Sequence, residues 1–282
     1  MAELIQSNPI DYLIIGHLTK DLTPSGERLG GTVAYAALTA RALGLRVGIV
    51  TSWGEELPLG LLSQVPMVNL PADTSTTFEN FYTLGGRVQK IHTVAHNLDL
   101  FLIPEPWLNA PIVHLAPVAK EVSPNMIRRF KSSFIGLTPQ GWLREWDEEG
   151  NVHPGEWPEA TYVLNQATAA VISLDDVGGD EQRIEEMAAA CAVLAVTEQA
   201  HGVRLYWQGD VRHFAAPEVQ EVDSTGAGDI FAAAFFSRLY STRDPWEAAR
   251  FATRLAAYSV TRAGLEGVPT FEEIQESLIQ VL

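Results

Sequence analysis

Asp223-Ser-Thr-Gly-Ala-Gly-Asp-Ile-Phe-Ala-Ala-Ala-Phe235 is the stretch on which the reading of this chain turns. Its first half is small and polar and its second half apolar. Phe231, Ala234 and Phe235 recur at i, i+3 and i+4, so a buried helix is predicted to open near Gly226. Gly226, Ala227 and Gly228 then form its first turn, where backbone N–H groups have no intrahelical acceptor. Their small side chains let a ligand reach the backbone. With the positive end of the helix dipole they make an anion site that needs no lysine. Asp229 lies in the same turn. A carboxylate there repels an anion, but it makes sense as a general base that takes a proton from an attacking hydroxyl. An anion hole beside a base is what phosphoryl transfer to an alcohol requires. The plainer reading is an ordinary helix start with an Asp that favours the dipole; the full D-S-T-G-A-G-D string ahead of an apolar helix is more specific than that.

The rest of the composition narrows the choice. Among 282 residues, Lys+Arg is 19 and Asp+Glu is 35, a net charge of −16. Apolar residues are 46% and charged residues 19%, a globular mixture long enough for one large α/β domain or two small ones. The acidity counts against a nucleic-acid partner and against an anionic membrane surface. The four lysines, Lys20, Lys90, Lys120 and Lys131, never follow a glycine, so the phosphate loop G-x-x-x-x-G-K-[ST] is absent. The dinucleotide fingerprint is absent too, because Gly226-Ala-Gly228 carries Phe231 where its third glycine belongs. The one cysteine, Cys191, excludes an intrachain disulfide and, within an Ala-rich apolar run, reads as a buried hydrophobe. Without an 18-residue apolar run or a basic N-terminal region, the expectation is a soluble cytoplasmic protein.

Outward from Asp223–Phe235, the chain alternates strands and helices. Tyr12–Gly16 reads as a buried strand, Thr32–Leu43 as an Ala-rich helix stopped by Gly44, and Arg46–Thr51 as a second strand. Residues 75–95 read as a hairpin around Gly85-Gly86, with alternating polar and apolar residues. Ile112–Leu115, Phe134–Thr138, Thr161–Leu164 and Val193–Val196 are predicted strands, and Ser123-Pro124 a helix start. Gly202–Trp207 and Val211–Phe214 pair around Gly209-Asp210. Three helices close the chain, the last two from the capping boxes Asp244-Pro245-x-Glu247 and Thr270-x-x-Glu273. Trp142–Pro158 reads as an exposed excursion. The pattern predicts an α/β fold, a doubly wound, mainly parallel sheet with helices on both faces and the 75–95 hairpin outside it.

Asp223-Ser-Thr-Gly-Ala-Gly-Asp229 resembles the C-terminal signature of the ribokinase (PfkB) family of sugar and nucleoside kinases. Gly16-x-x-x-x-Asp21 after the first strand is similar to that family's N-terminal element, and Leu29-Gly30-Gly31 before the Ala-rich helix to its second signature. Gly-His-x-x-x-Asp, then Gly-Gly, then an aromatic, looks most like the inositol-kinase-like branch. The resemblance implies one ribokinase-like α/β domain over residues 1–282, with a small β lid from about 17–30 and 75–97. It implies ATP and Mg²⁺, with Asp229 as base and Gly226–Gly228 as anion hole. Asp21, Gly30 and Gly31 would contact the acceptor, with Tyr35 where many members place an Asn. Asp223 would lie with the substrate-binding residues and, with the loop Arg262–Gly264, near a monovalent cation such as K⁺.

On the nucleotide side the resemblance points to Asn165, Thr197, Gly202, Thr225, Thr253 and Gly264. Here the chain departs from the family. The Asn-x-x-Glu element is matched to Asn165-Gln-Ala-Thr168, without its Glu, and the Thr-x-Gly-x-x-Gly turn to Thr197-Glu-Gln199-Ala-His-Gly202, with Gln for the first Gly. Asp175, Asp176 and Glu198 are the candidates for a replacement metal-shell carboxylate, with no choice among them. Gln140 and Arg144, after a predicted strand, are weighed as cleft residues against a surface loop. His92 and His96, at i and i+4 on a strand, stand about 13 Å apart, too far to share a metal. The expected activity is ATP-dependent phosphorylation of a hydroxyl on a small sugar, polyol or nucleoside, by a monomer or homodimer. The rival readings are a catalytically weak binding protein, motivated by Thr168 and Gln199, and a nucleoside kinase.

Overall fold

The run Tyr12–Ile15 forms the central strand β1, buried along its length as a strand covered on both faces must be. The structure, a computed structural model, describes residues 8–24, 26–54, 57–83 and 86–278. After β1 come β2 (Thr19–Thr23), β3 (Gly26–Gly30), helix α1 (Thr32–Ala42), β4 (Val47–Trp53), β5 (Met67–Pro71), β6 (Thr76–Thr83), β7 (Gly86–Thr93), β8 (Ile112–Leu115) and β9 (Phe134–Leu137). Then follow β10 (Arg144–Trp146), β11 (Val152–Pro154), α2 (Ala160–Leu164), β12 (Ala169–Ser173), α3 (Glu181–Ala190), β13 (Val193–Thr197), β14 (Val203–Trp207) and β15 (Asp210–Phe214). Helices α4 (Ala227–Thr242), α5 (Pro245–Ser259) and α6 (Phe271–Leu278) close the chain.

The main sheet runs β15-β14-β13-β12-β9-β8-β1-β4-β5. Its members are parallel from β13 to β5, and β14 and β15 add an antiparallel edge. The alternation along each strand sorts side chains onto two faces. Ile14, Ile49 and Val171 pack under α1, α4 and α5, with Phe231, Phe235 and Phe236 at the centre. Burying each of those rings is worth about 1.5–3 kcal/mol. Leu13, Leu115 and Ile172 face the other way, onto α2, α3 and short turns that carry Trp107 and Met126. The expected doubly wound fold holds. No helix among the described residues is long and apolar enough to cross a membrane.

The 75–95 hairpin does lie outside the main sheet. It joins the β2–β3 hairpin in a second sheet of order β3-β2-β6-β7, in which β2 and β6 are parallel. The turn residues Leu84 and Gly85 are outside the described residues.

Three expectations fail for physical reasons. Thr161–Leu164 is helical, within α2; a short run of apolar and β-branched residues does not distinguish the two states. The strand of that βα unit is β12, five residues further on. Pro124–Arg129 is a 3₁₀ turn, and Ser123 makes no side-chain cap. Trp142–Pro158 is exposed only in part. Trp142 and Trp157 are buried and stack at 5.1 Å, and β10 and β11 form a ribbon whose neighbour Gly150 accepts the Ile91 N–H of β7. Of the two capping boxes, Thr270 and Glu273 exchange both hydrogen bonds. Asp244 caps α5, but Glu247 turns away to Arg238.

Candidate active site

The C-terminal ends of β12 and β13, the segments after β8 and β9, and the first turns of α1 and α4 converge on a cleft of about 810 Å³, with the small sheet along one side. Clefts outside the carboxyl ends of parallel strands are where such folds bind ligands.

At its centre is α4. Gly226 is the N-cap, with φ +80°, and a Cβ there would lie 2.3 Å from the Tyr35 ring. Only glycine meets both demands. The Ala227 N–H donates to Ser224 O at 3.3 Å, which narrows the expected anion hole to the N–H groups of Gly226, Gly228 and Asp229. Asp229 is the third helical residue. Desolvation lifts its carboxyl to a pKa of about 6; the Thr32 hydroxyl and the Arg144 charge pull it down, while Asp176 and Asp21 push it up.

Toward the small sheet, Thr19 Oγ1 donates to Asp21 Oδ1 at 2.9 Å. Gly30, across the β2–β3 hairpin, leaves room for that carboxylate: a Cβ would lie 2.1 Å from Asp21 Oδ2. Gly31 caps α1 and, with Asp21 and Tyr35, lines the cleft. Burial, then the charges of Asp21, Asp229 and Asp223, raise the Tyr35 phenol, which stays protonated and can donate.

Asp223 and Gly264 border a neighbouring depression of about 400 Å³, which shares Asp21, Tyr35 and Thr225 with the main cleft. The Asp223 carboxylate accepts the Thr225 and Gly264 N–H groups, each at 3.0 Å, and faces Arg28 at 3.5 Å. Burial raises its pKa, but those bonds and Arg28 outweigh it, and the net shift is downward.

At the other end, Thr197, Gly202, Thr225 and Thr253 line the cleft. The Thr253 hydroxyl donates to Ala249 O within its own helix. Gln199, where a glycine was expected, has φ +55°, a backbone that glycine adopts freely. Its amide donates to Asp175 at 2.9 Å.

Asn165 is not brought to the cleft. It is exposed at the end of α2, bonded to Thr161 O, and precedes β12 instead of following it. The polar residues that reach the cleft there, Ser173 and Asp175, lie at and just after the end of β12, in a capping box in which Asp176 accepts the Ser173 N–H at 2.8 Å. Placing the strand at Thr161–Leu164 shifted the motif by one element. The missed signal was the run Ala169–Ser173 leading into two acids.

Glu198 is committed to Arg204. Asp175 lines the cleft, and Asp176 accepts from Gln140 Nε2 at 3.1 Å. Among the described residues no group of three or more His, Cys, Asp or Glu could hold a metal ion. His92 pairs with Glu79 at 2.8 Å, and His96 offers its carbonyl to His17. Gln140 and Arg144, weighed against a surface loop, do line the cleft.

Residues 161–270 match the pfkB family carbohydrate kinase. The inositol 3-kinase of Oryza sativa subsp. japonica is 36% identical over 297 aligned residues, covering 97% of this chain and 73% of that protein. The fructokinase of Escherichia coli is 28% identical over 303 aligned residues, 93% of this chain and 97% of that protein. Among solved structures, a pyrophosphate-dependent kinase in the ribokinase family, complexed with a pyrophosphate analog and myo-inositol, superposes with a TM-score of 0.79. It is 20% identical, over 95% of this chain and 100% of that one. Fold and relatives together define the class, a phosphotransferase of the carbohydrate-kinase type. The chain belongs to the pfkB family of carbohydrate kinases.

Proposed function

We propose that the chain transfers the terminal phosphoryl group of ATP to a hydroxyl of a small neutral polyol or sugar, with Asp229 as general base. The observation that carries this is the pairing of Asp229, at a pKa of about 6, with the N–H groups of Gly226 and Gly228 in one helical turn of the cleft. The acceptor oxygen attacks the γ-phosphorus, its proton passes to Asp229, and the bond to the β-phosphate oxygen breaks, so that ADP leaves with the electron pair. Asp21, held by Thr19, orients the acceptor hydroxyls, and the Tyr35 phenol bounds their site. The small sheet acts as a lid over the acceptor. The carboxylates of Asp21, Asp229 and Asp223 around that end favour an uncharged acceptor.

The apolar wall of Ala256, Ala257 and Val260 beside Thr253 favours a nucleoside on the donor. Mg²⁺ typically takes one or two protein carboxylates plus substrate phosphates. Asp175 and Asp176 fit that demand, and the ion would neutralise the donor phosphates. A monovalent cation fits less well, because the Asp223 carboxylate already takes two N–H groups and faces the Arg28 guanidinium.

Two observations favour catalysis over mere binding. An acid, Asp176, follows β12, and Gln199 holds a left-handed φ of +55° that glycine adopts freely.

The test is turnover with ATP across sugars, inositols and nucleosides, and again with pyrophosphate. Asp229→Asn should lower kcat by about 10²–10⁴-fold with little change in Tm. In the wild type, kcat/KM should rise with pH through about 6 as Asp229 loses its proton. Near wild-type turnover by the variant defeats the mechanism, and no turnover with any acceptor or donor defeats the function.

A further inference from the structure

We infer that Arg144 is the cation that meets the transferring phosphoryl group, and that the small sheet and the loop after β8 hold it there. The inference rests on the kinase function proposed above.

The charge lining the cleft is lopsided. Among its described residues are five carboxylates, Asp21, Asp175, Glu218, Glu221 and Asp229, and a single Lys, Arg or His, which is Arg144. None of the four lysines lines it. Phosphoryl transfer spreads negative charge over three equatorial oxygens. The N–H groups at the start of α4 supply only partial charges to meet it. A full positive charge in a partly buried cleft is worth more than on the open surface. Arg144 and Asp229 line the same cleft, and the Arg144 charge is near enough to lower the Asp229 pKa, so the guanidinium is on the side of the cleft from which it can meet the reacting atoms.

The side chain is also held. Nη1 donates to Val118 O at 3.3 Å, and the guanidinium lies 5.4 Å from the centroid of the Phe78 ring of β6. Val118 is fixed in turn by Glu121, whose buried carboxylate accepts the N–H groups of Val118, Ala119 and His17. That one carboxylate ties the entry to the small sheet, through His17, to the wall that Arg144 leans on. A planar guanidinium that both stacks and forks suits the site better than an ammonium. Phe78 belongs to the sheet that covers the acceptor, so Arg144 is positioned by the element that closes over the substrate.

The competing roles are an acceptor-binding residue and one that only tunes Asp229. Arg144→Gln and Arg144→Lys, compared with wild type, separate them. For Arg144→Gln we expect kcat to fall by about 10²–10³-fold, the scale of a lost transition-state donor. The acceptor KM should stay within about threefold, and the pH midpoint should move up, because the charge that lowers the Asp229 pKa is gone. Arg144→Lys should lose less, and free guanidinium should restore part of the activity to Arg144→Gln. Inhibition by ADP with aluminium fluoride should weaken in parallel with kcat, while ADP alone binds as before. Phe78→Leu, which keeps the charge and removes the stack, should lower kcat by less than Arg144→Gln does. The inference is overturned if Arg144→Gln keeps kcat within threefold, if the loss appears only in the acceptor KM, or if the pH midpoint shift accounts for the whole loss. A wild type without turnover would instead overturn the kinase function itself, and the inference with it.

Discussion

The end of the cleft proposed for the acceptor and the end proposed for the donor are built on different terms. At the acceptor end the requirements are steric and local. Gly226 must lack a Cβ because the Tyr35 ring is there, and Gly30 because the Asp21 carboxylate is there. No other residue meets such a demand, so the glycines stand where the motifs lead one to expect them. At the donor end the requirements are electrostatic, and several chemistries satisfy them. Asp176 supplies a carboxylate after β12, and Gln199 takes a left-handed backbone that glycine adopts freely. A site held by absent side chains tolerates little variation; a site held by charge can be rebuilt nearby.

Gly226→Ala should break the acceptor end hardest. The new methyl meets the Tyr35 ring, and the left-handed backbone at φ +80° is strained for alanine. The variant should lose about 1–3 kcal/mol of stability. It should also lose about 10²-fold or more in kcat, because the anion turn is displaced. Thermal melting and steady-state turnover check both. Wild-type kcat in a folded Gly226→Ala protein would mean that this turn does not bind the phosphoryl group.

Asp176→Asn addresses the donor end and should cost less. The carboxylate holds the Ser173 N–H and the Gln140 amide and adds negative charge near Asp229. Its loss should lower kcat by about 10–100-fold, the usual scale for a residue supporting a metal shell, and raise the Mg²⁺ concentration needed for half-maximal rate. Removing that negative charge also favours the ionised form of Asp229, so the midpoint of kcat/KM should fall below about 6. That is opposite in sign to the shift expected for Arg144→Gln. The same sign in both variants would show that Asp229 does not set the profile.

The same contrast explains what was legible in the sequence. The turn that opens α4 in the cleft was readable because Gly226, Gly228 and Asp229 lie together and precede an apolar helix. The doubly wound fold was readable from the strand–helix rhythm, and the capping box at Thr270 and Glu273 from its spacing. The donor end was not, because its residues acquire meaning only once the strand before them is placed. Thr161-Tyr-Val-Leu164 has the composition of a strand and the structure of a helical turn, and that one misplacement carried the motif to Asn165. Trp142 and Trp157 looked exposed because their neighbours include Glu, Gly and Pro. They are buried, and they stack on each other across fifteen residues of chain. Arg144 was ambiguous for the same reason. Its partners Val118 and Phe78 lie far away in sequence, and no local pattern marks them.

Gln199→Gly should have the smallest effect and is the finest test of the contrast. Glycine relieves a left-handed backbone that costs an L-residue about 1–2 kcal/mol. It returns much of that as extra freedom of the unfolded chain, about 0.4–1 kcal/mol, and it gives up the exposed amide bond to Asp175. The net change in stability should therefore lie within about 1 kcal/mol of zero. If the donor end is held by charge, releasing Asp175 from the amide should leave the donor KM within threefold and the acceptor KM unmoved. A tenfold rise in donor KM would show that the Gln199 side chain itself contacts the donor. The substitution would then be a specific adaptation, and the two ends of the cleft would be equally exacting.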